Sequence, residues 1–401
     1  MPDSPHHAER LTRLTERLAE WQGLWRPPPF QHRRAPWAEH LAGLEQALLA
    51  LPDAACERLQ ADPFTASPLS AWLPVAELHG LVRLPALAGE TPDLPASWRE
   101  HVGGRKWHQI EALAGRLAHP PGQSLVEWCA GKGHLARTLA RRHDTEVTAL
   151  EWQPALCAEG QALADRQGVA VRLKTRDVLA PEGGKGLGPT VHVVALHACG
   201  DLHRRLLELA AETGCAVTLA PCCYQRTAAE TYRPLSRQGR ELAAAHGLAL
   251  SRDDLAMAVQ ETVTAPRNVR RSRERANGWR LGFDLLQREI RGQDTYLPVP
   301  SLAYGRFPGC FADFCHWAAG QKGLRLPARV DWAALERAGQ QRQREVARLE
   351  LVRHLFRRPL EVWLALDRLL LLEEAGFRVE LGTFCERSLT PRNLLLRARR
   401  P

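Results

Sequence analysis

The stretch SLVEWCAGKGHLARTLARRH (residues 124–143) joins two kinds of pattern through a pair of glycines. SLVEWCA (124–130) is a short apolar run of strand length, and HLARTLARRH (134–143) carries its apolar residues at helical spacing. Gly131 and Gly133 fall in the turn between them. Glycine there lets the backbone turn tightly and approach a ligand closely.

The alternation continues outward from this unit. EVTALEW (146–152) predicts a second strand, and QPALCAEGQALADRQG a helix. VAVRLKTRDV (169–178), TVHVVALHACG (190–200) and CAVTLAPCC (215–223) predict three more strands, with a helix over DLHRRLLELAAETG. Strands alternating with helices imply a parallel sheet covered on both faces. The near-continuous apolar runs VHVVAL and CAVTLA fit strands buried on both sides. Far downstream, LEVWLALDRLLLLEEAG (360–376) predicts a helix stopped by Gly376. FRVELGTFC and NLLLRAR follow as two strands joined by ERSLTPR. The expected fold class is α/β: a Rossmann-like sheet of parallel strands closed by a C-terminal antiparallel hairpin.

Helical patterns flank the sheet. Residues 7–23 and 37–51 have apolar residues at helical spacing, broken by RPPPFQHRRAP. ETPDLPASW reads as a linker. Between the fifth strand and the final helix, strand signals give way to helical ones. The expected organisation is a helical N-terminal domain (1–100), the first part of the sheet domain (101–226), a helical insertion that selects substrate (227–358), and a last helix and hairpin completing the sheet domain (359–401).

The chain has 401 residues, 45% hydrophobic and 25% charged, which excludes a disordered protein and allows two or three domains. The first residues lack the apolar core of a secretory signal, and no run reaches the ~18 apolar residues of a membrane span. A soluble cytoplasmic protein without a membrane partner is expected. The ten cysteines include no CxxC pair, so no metal is expected, and in a reducing compartment no disulfide framework either. The net charge of +9 fits a polyanionic partner such as RNA. Of the 54 basic residues only five are lysine, so a biased coding composition accounts for the balance equally well.

Two ligand classes fit the glycine turn. Gly131-x-Gly133-x-x-Ala136 satisfies a loose dinucleotide pattern. S-adenosylmethionine is the other. Glu127, near the end of the first strand, would repel a pyrophosphate at the helix N-terminus, where anions otherwise bind. It would favour the sulfonium and ammonium of S-adenosylmethionine. Glu151 ends the second strand, about 20 residues past Gly131, where a carboxylate meets a ribose.

In this order VEWCAGKGHLARTLA, ALHACGDLH and LAPCCYQ resemble the class I methyltransferase superfamily. The branch they resemble includes the eukaryotic tRNA 2′-O-methyltransferases acting near the acceptor stem and related methyltransferase-like proteins. GRKWHQI (104–110) is similar to the basic segment leading into that domain, and LTPRNLLLRA (389–398) to its closing hairpin. Gln109 stands where relatives often have glutamate, and Cys129 where the general motif often has its first glycine. The resemblance implies an S-adenosylmethionine-dependent methyltransferase. It implies Glu127, Gly131, Gly133 and His134 at the methionine end of the cofactor, Glu151 on the ribose, Trp152 over the adenine, and Asp177 with Val178 at the adenine amino group. Lys106 and Cys222 are implied on the substrate side.

His197, Asp201 and His203 arrive with the fourth strand where the acceptor should sit. A methyltransferase must align acceptor and methyl and, for a hydroxyl acceptor, remove a proton. His197 or Asp201 could be that base. Asp201 also fits the start of the helix that follows, and His197 a satisfied polar group at a strand end. Cys222 and Cys223 follow the fifth strand, where adjacent residues point to opposite sides. One thiol should pack inward, and the other, with Tyr224, should face the acceptor.

RNVRRSRER (267–275), with Arg267 and Arg271, is the best candidate for phosphate contacts, although a solvated helix face reads the same way. EGGKGLGPT (182–190) lacks the Ser or Thr of a phosphate loop and leads into a strand, so it reads as a loop. Cys310, Cys315 and His316 read as one packed helix rather than metal ligands. RNA is the expected acceptor, with ribose 2′-O methylation the finer expectation. A protein or small-molecule acceptor, or an inactive binding module of the same fold, is the alternative.

Overall fold

The computed structural model describes residues 7–92, 94–119, 122–260, 267–302 and 306–401, and of Ala96 and Arg267 the backbone only. Seven strands form one sheet: β1 (Ser124–Trp128), β2 (Val147–Glu151), β3 (Val171–Thr175), β4 (Val191–Cys199), β5 (Ala216–Cys222), β6 (Arg378–Thr383) and β7 (Leu394–Arg399). Their order is β3-β2-β1-β4-β5-β7-β6. The first five strands run parallel, and β7 inserts antiparallel between β5 and β6. Strand order reverses between β1 and β4, which places the ligand crevice of an open α/β sheet beyond their carboxyl ends.

By its contacts the chain divides into two units. One holds residues 1–19, 80–264 and 357–401, and the other residues 20–79 and 265–356. This division runs elsewhere than residues 100 and 227. Within the second unit, Arg342 Nη2 donates to the carbonyls of Pro29 (3.2 Å) and His32 (2.7 Å), and Arg348 Nε to that of Leu51 (2.8 Å). Such charged donors tie two stretches far apart in sequence, which composition does not reveal. Cys315 is fully buried there among Trp279, Phe283, Phe311 and Phe314, as a packed helix face requires.

In the first unit, helices Gly104–Gly115, His134–His143 and Pro154–Arg166 cover one side of the sheet around β1, β2 and β3. Leu125, Val147, Ala149 and Val171 project into that core with Leu135 and Leu139. Helix Asp201–Thr213 packs on β4 and β5. No α-helix lies between β3 and β4; residues 181–184 form only a 3-10 turn. The alternate residues Val126, Thr148 and Leu150 therefore line an open cleft of about 990 Å³ with Lys174, Arg176 and Lys185. That cleft includes none of Glu127, Gly131 or Glu151, so it is not the crevice at the glycine turn.

The break expected near Pro359 is absent. One helix, Trp332–Glu374, runs through it. A proline inside a helix costs about 3 kcal/mol. Residues that follow it, among them Leu360, Val362, Trp363, Leu364 and Leu366, are completely buried, and that burial offsets the cost. Trp363 Nε1 donates to Thr15 Oγ1 (2.8 Å), fixing helix His7–Glu20 to it within this unit. Among the described residues no helix is long and apolar enough to cross a membrane.

Candidate functional site

The carboxyl ends of β1 and β2 meet at the glycine turn. Cys129, Gly131 and Gly133 all have left-handed backbone, with φ of 58°, 58° and 64°. Glycine adopts this freely, whereas Cys129 does so at a cost of about 1–2 kcal/mol. A Cβ at Gly131 would meet nothing within 4 Å, so the turn needs glycine for its conformation and leaves open space beside it.

Two carboxylates brace this turn. Glu127 is buried, and its Oε2 accepts the Ala136 N–H at 2.8 Å. Glu151 Oε2 accepts the Gly131 N–H (2.9 Å), and its Oε1 the Gln153 N–H (3.1 Å). A carboxylate oxygen has a second lone pair, so Glu151 can still accept from a ligand hydroxyl. Burial pushes the Glu127 carboxyl up to about 8, against the opposing pull of the Ala136 N–H and the nearby charges of Lys106 and Arg137. Burial thus favours the neutral acid, and a cation arriving beside the group would favour the anion.

Around them, Trp152 is 67% exposed, an unusual setting for so large an apolar surface. Asp177 is exposed, and its Oδ1 accepts the Leu179 N–H (2.9 Å), shaping the loop after β3; Val178 is buried. The His134 ring is buried against Arg137. Burial first, and Arg137 next, push its imidazole down to about 3. The resemblance implies His134 at the methionine end of the cofactor; its ring is buried there, as Glu127 is. Lys106 is exposed, and its charge acts on Glu127, His134 and His197. Lys132 pairs with Glu159 at 2.5 Å.

The ends of β4 and β5 form the other half of the site. His197 is left-handed (φ 64°), and its Nε2 lies 2.5 Å from Gln109 Oε1. An amide oxygen only accepts, so this contact fixes the Nε2–H tautomer and leaves Nδ1 as the acceptor. Burial, reinforced by Arg392 and Lys106, pushes the imidazole down to about 4. Asp201 is the first residue of helix Asp201–Thr213, after the cap residue Gly200. Its Oδ2 accepts the Ala228 N–H (2.8 Å), and its own N–H donates to Arg226 O (3.0 Å). Asp201 thus clamps the segment after β5 instead of capping its own helix.

Tyr224, expected to face the acceptor, is turned inward. It is 1% exposed, lies under the Arg368 guanidinium (4.6 Å to the ring centre) and meets His203 edge-on. His203 is itself buried, donating from Nδ1 to Ala198 O (2.9 Å) and accepting at Nε2 from Arg368 (2.8 Å). The expected alternation at the end of β5 fails because Cys223 leaves extended backbone (φ 46°). The thiols of Cys222 and Cys223 consequently come together with that of Cys199, all within 4.8 Å of one another. Sequence reasoning missed Gln109 and Cys199 as members of the site. Both lie in segments that carry it, GRKWHQI and HACGD, but the pairing is a matter of tertiary position. Arg271 is exposed on helix Arg267–Arg291 in the second unit, and the side chain of Arg267 lies outside the described residues.

Residues 105–230 match the family model described as a methyltransferase domain. Among solved structures, the chain is similar to coclaurine N-methyltransferase bound to N-methylheliamine and SAH. The identity is 15%, over 45% of this chain and 62% of that one, with a TM-score of 0.26. A geranyl diphosphate methyltransferase in complex with GPP and sinefungin gives 15% identity over 45% and 65%, TM-score 0.25. Magnesium protoporphyrin IX methyltransferase from Synechocystis PCC 6803 with bound SAM gives 15% over 49% and 88%, TM-score 0.26. The chain spans less than two thirds of the length of the first two. Over residues 105–230 the chain is similar to a methyltransferase domain, and S-adenosylmethionine is the methyl donor that such a domain implies.

Proposed function

We propose that the chain transfers a methyl group from S-adenosylmethionine to RNA, with a ribose hydroxyl as the acceptor. The observation that carries the donor half is the pair of carboxylates, Glu127 and Glu151, meeting at the Gly131 turn. Glu127 suits a cationic methionine end and disfavours a pyrophosphate. Glu151 supplies an acceptor for ribose hydroxyls, and the exposed face of Trp152 a surface for the adenine, with Asp177 and Val178 at its edge.

For the acceptor half, the net charge of +9 and the arginine-rich run 267–275 support a polyanion. In methyl transfer the hydroxyl oxygen attacks the sulfonium methyl and a neutral thioether leaves, so the protein has mainly to align the two substrates and take a proton from the hydroxyl. His197, held by Gln109 with Nδ1 as acceptor, is our candidate for that proton. Asp201 holds the loop instead.

Calorimetry with S-adenosylmethionine and with NADH tests the donor; binding of NADH alone would overturn it. Labelled methyl transfer into fractionated extract from a strain lacking the protein tests the acceptor. Label is expected in RNA, and label confined to the protein or small-molecule fraction would refute RNA while leaving the donor reading intact.

A further inference from the structure

We propose that Cys199, Cys222 and Cys223 bind one thiophilic metal ion, zinc(II) or copper(I). Their three sulfur atoms all lie within 4.8 Å of one another, and Cys199 Sγ is 3.5 Å from Cys222 Sγ. Three thiolates each about 2.3 Å from a tetrahedral ion stand about 3.8 Å apart. Movements of a few tenths of an ångström up to about 1 Å therefore convert the cluster into a coordination shell.

The backbone is bent to bring these thiols together. The register between β4 and β5 shifts between Leu196 and Cys199, and it is Cys199 that pairs with Cys222. Cys223 is left-handed, which turns its sulfur to the same side as that of its neighbour. Left-handed backbone at a non-glycine residue costs about 1–3 kcal/mol and persists where the surroundings enforce it. Cys222 is buried, whereas Cys199 and Cys223 are partly exposed, so an ion has a path in. The charges of Arg226 and Arg392 act on Cys223, which offsets the excess negative charge of three thiolates on one ion. Soft thiolate sets select zinc and copper(I) over magnesium or calcium. With three protein ligands a tetrahedral ion keeps one position open, on the sheet edge where the acceptor is proposed to arrive.

Metal uptake is read without methyl transfer, so the result is separate from the identity of the acceptor. The reduced full-length chain is titrated anaerobically with zinc(II) and, in a second arm, copper(I), each against a chromophoric chelator. One ion per chain is expected for at least one metal. Cys199→Ser, Cys222→Ser and Cys223→Ser should each weaken uptake by more than about 100-fold, the upper end of what losing an outer-shell partner costs. Cys310→Ser and Cys385→Ser should leave it unchanged. Wild-type chain that takes up neither ion overturns the site, as does uptake that survives all three substitutions. If the variants fail to fold, cobalt(II) added to the wild type decides: thiolate charge-transfer absorption is expected, and its absence overturns the site.

Discussion

Glu151 Oε2 accepts the Gly131 N–H at 2.9 Å, closing the end of β2 onto the turn after β1. One carboxylate thus shapes the turn and, in the proposed complex, holds the ribose. A hydrogen bond to a charged group contributes about 1.5–3 kcal/mol, so Glu151→Ala should weaken S-adenosylmethionine binding by about 10–100-fold. Calorimetric titration of both proteins checks this. An unchanged affinity would remove Glu151 from the cofactor site.

Trp152 separates binding from folding. It is 67% exposed, and exposed substitutions usually change stability by no more than about 0.5 kcal/mol. Aromatic stacking on a base contributes about 1–3 kcal/mol. Trp152→Ala should therefore lower cofactor affinity about tenfold or more with almost no change in Tm. A matching loss of both, read by calorimetry and thermal melting, would mean the ring is structural.

Glu127 couples the cofactor to protons. Its carboxyl titrates at about 8 in the folded chain against an ordinary value of 4.5. Between these the folded state binds more protons than the unfolded one, so this group's stabilising contribution is full below 4.5 and is lost as pH rises towards 8. The slope is at most about 1.4 kcal/mol per pH unit, and Glu127→Gln should flatten it in denaturant titrations. A cationic ligand favours the ionised form, so S-adenosylmethionine should release a proton on binding at pH 7 and bind more tightly as pH rises to 8. Titrations in two buffers of different ionisation enthalpy measure that proton. No release in the wild type would place the sulfonium away from Glu127.

Much of this was legible in the sequence because it rests on local pattern. Each predicted strand of the sheet formed within a few residues of its expected bounds, and the most apolar of them, β4 and β5, are buried along most of their length. Glu127, Gly131 and Glu151 came together because the parallel order β2-β1 brings their strand ends side by side. What failed was long-range or conformational. Tyr224 turned inward because Arg368, 144 residues away in sequence, offers its ring a buried cation. The cysteine cluster escaped notice because it depends on a left-handed residue where a continued strand would have split Cys222 from Cys223.

Asp201 distinguishes a clamp from a base. Its Oδ2 accepts the Ala228 N–H, and asparagine can still accept that bond while being unable to take a proton. Asp201→Asn should keep most of the transfer rate, whereas Asp201→Ala should release the segment after β5 and lose about 1.5–3 kcal/mol of local stability. Hydrogen exchange at residues 226–228 reads the release. A complete loss of methyl transfer in Asp201→Asn with exchange unchanged would make Asp201 the base.

The strongest stability effect is expected at Asp367. It is completely buried and accepts from Tyr232 Oη (2.6 Å), the N–H groups of Leu235 (2.8 Å) and Ser236 (3.0 Å), and Ser236 Oγ (2.7 Å). This carboxylate fastens the segment before helix Arg237–Ala245 to the long helix Trp332–Glu374. Removing it strands two buried N–H donors, so Asp367→Ala should cost on the order of 3–5 kcal/mol. Tyr232→Phe deletes one bond and should cost about 1 kcal/mol. Gly239→Ala attacks the same point by another route, because its Cβ would fall 2.2 Å from Asp367 Oδ1. Denaturant unfolding should rank the three variants with Tyr232→Phe the mildest; equal losses, or no loss in Asp367→Ala, would show that this carboxylate does not carry the junction.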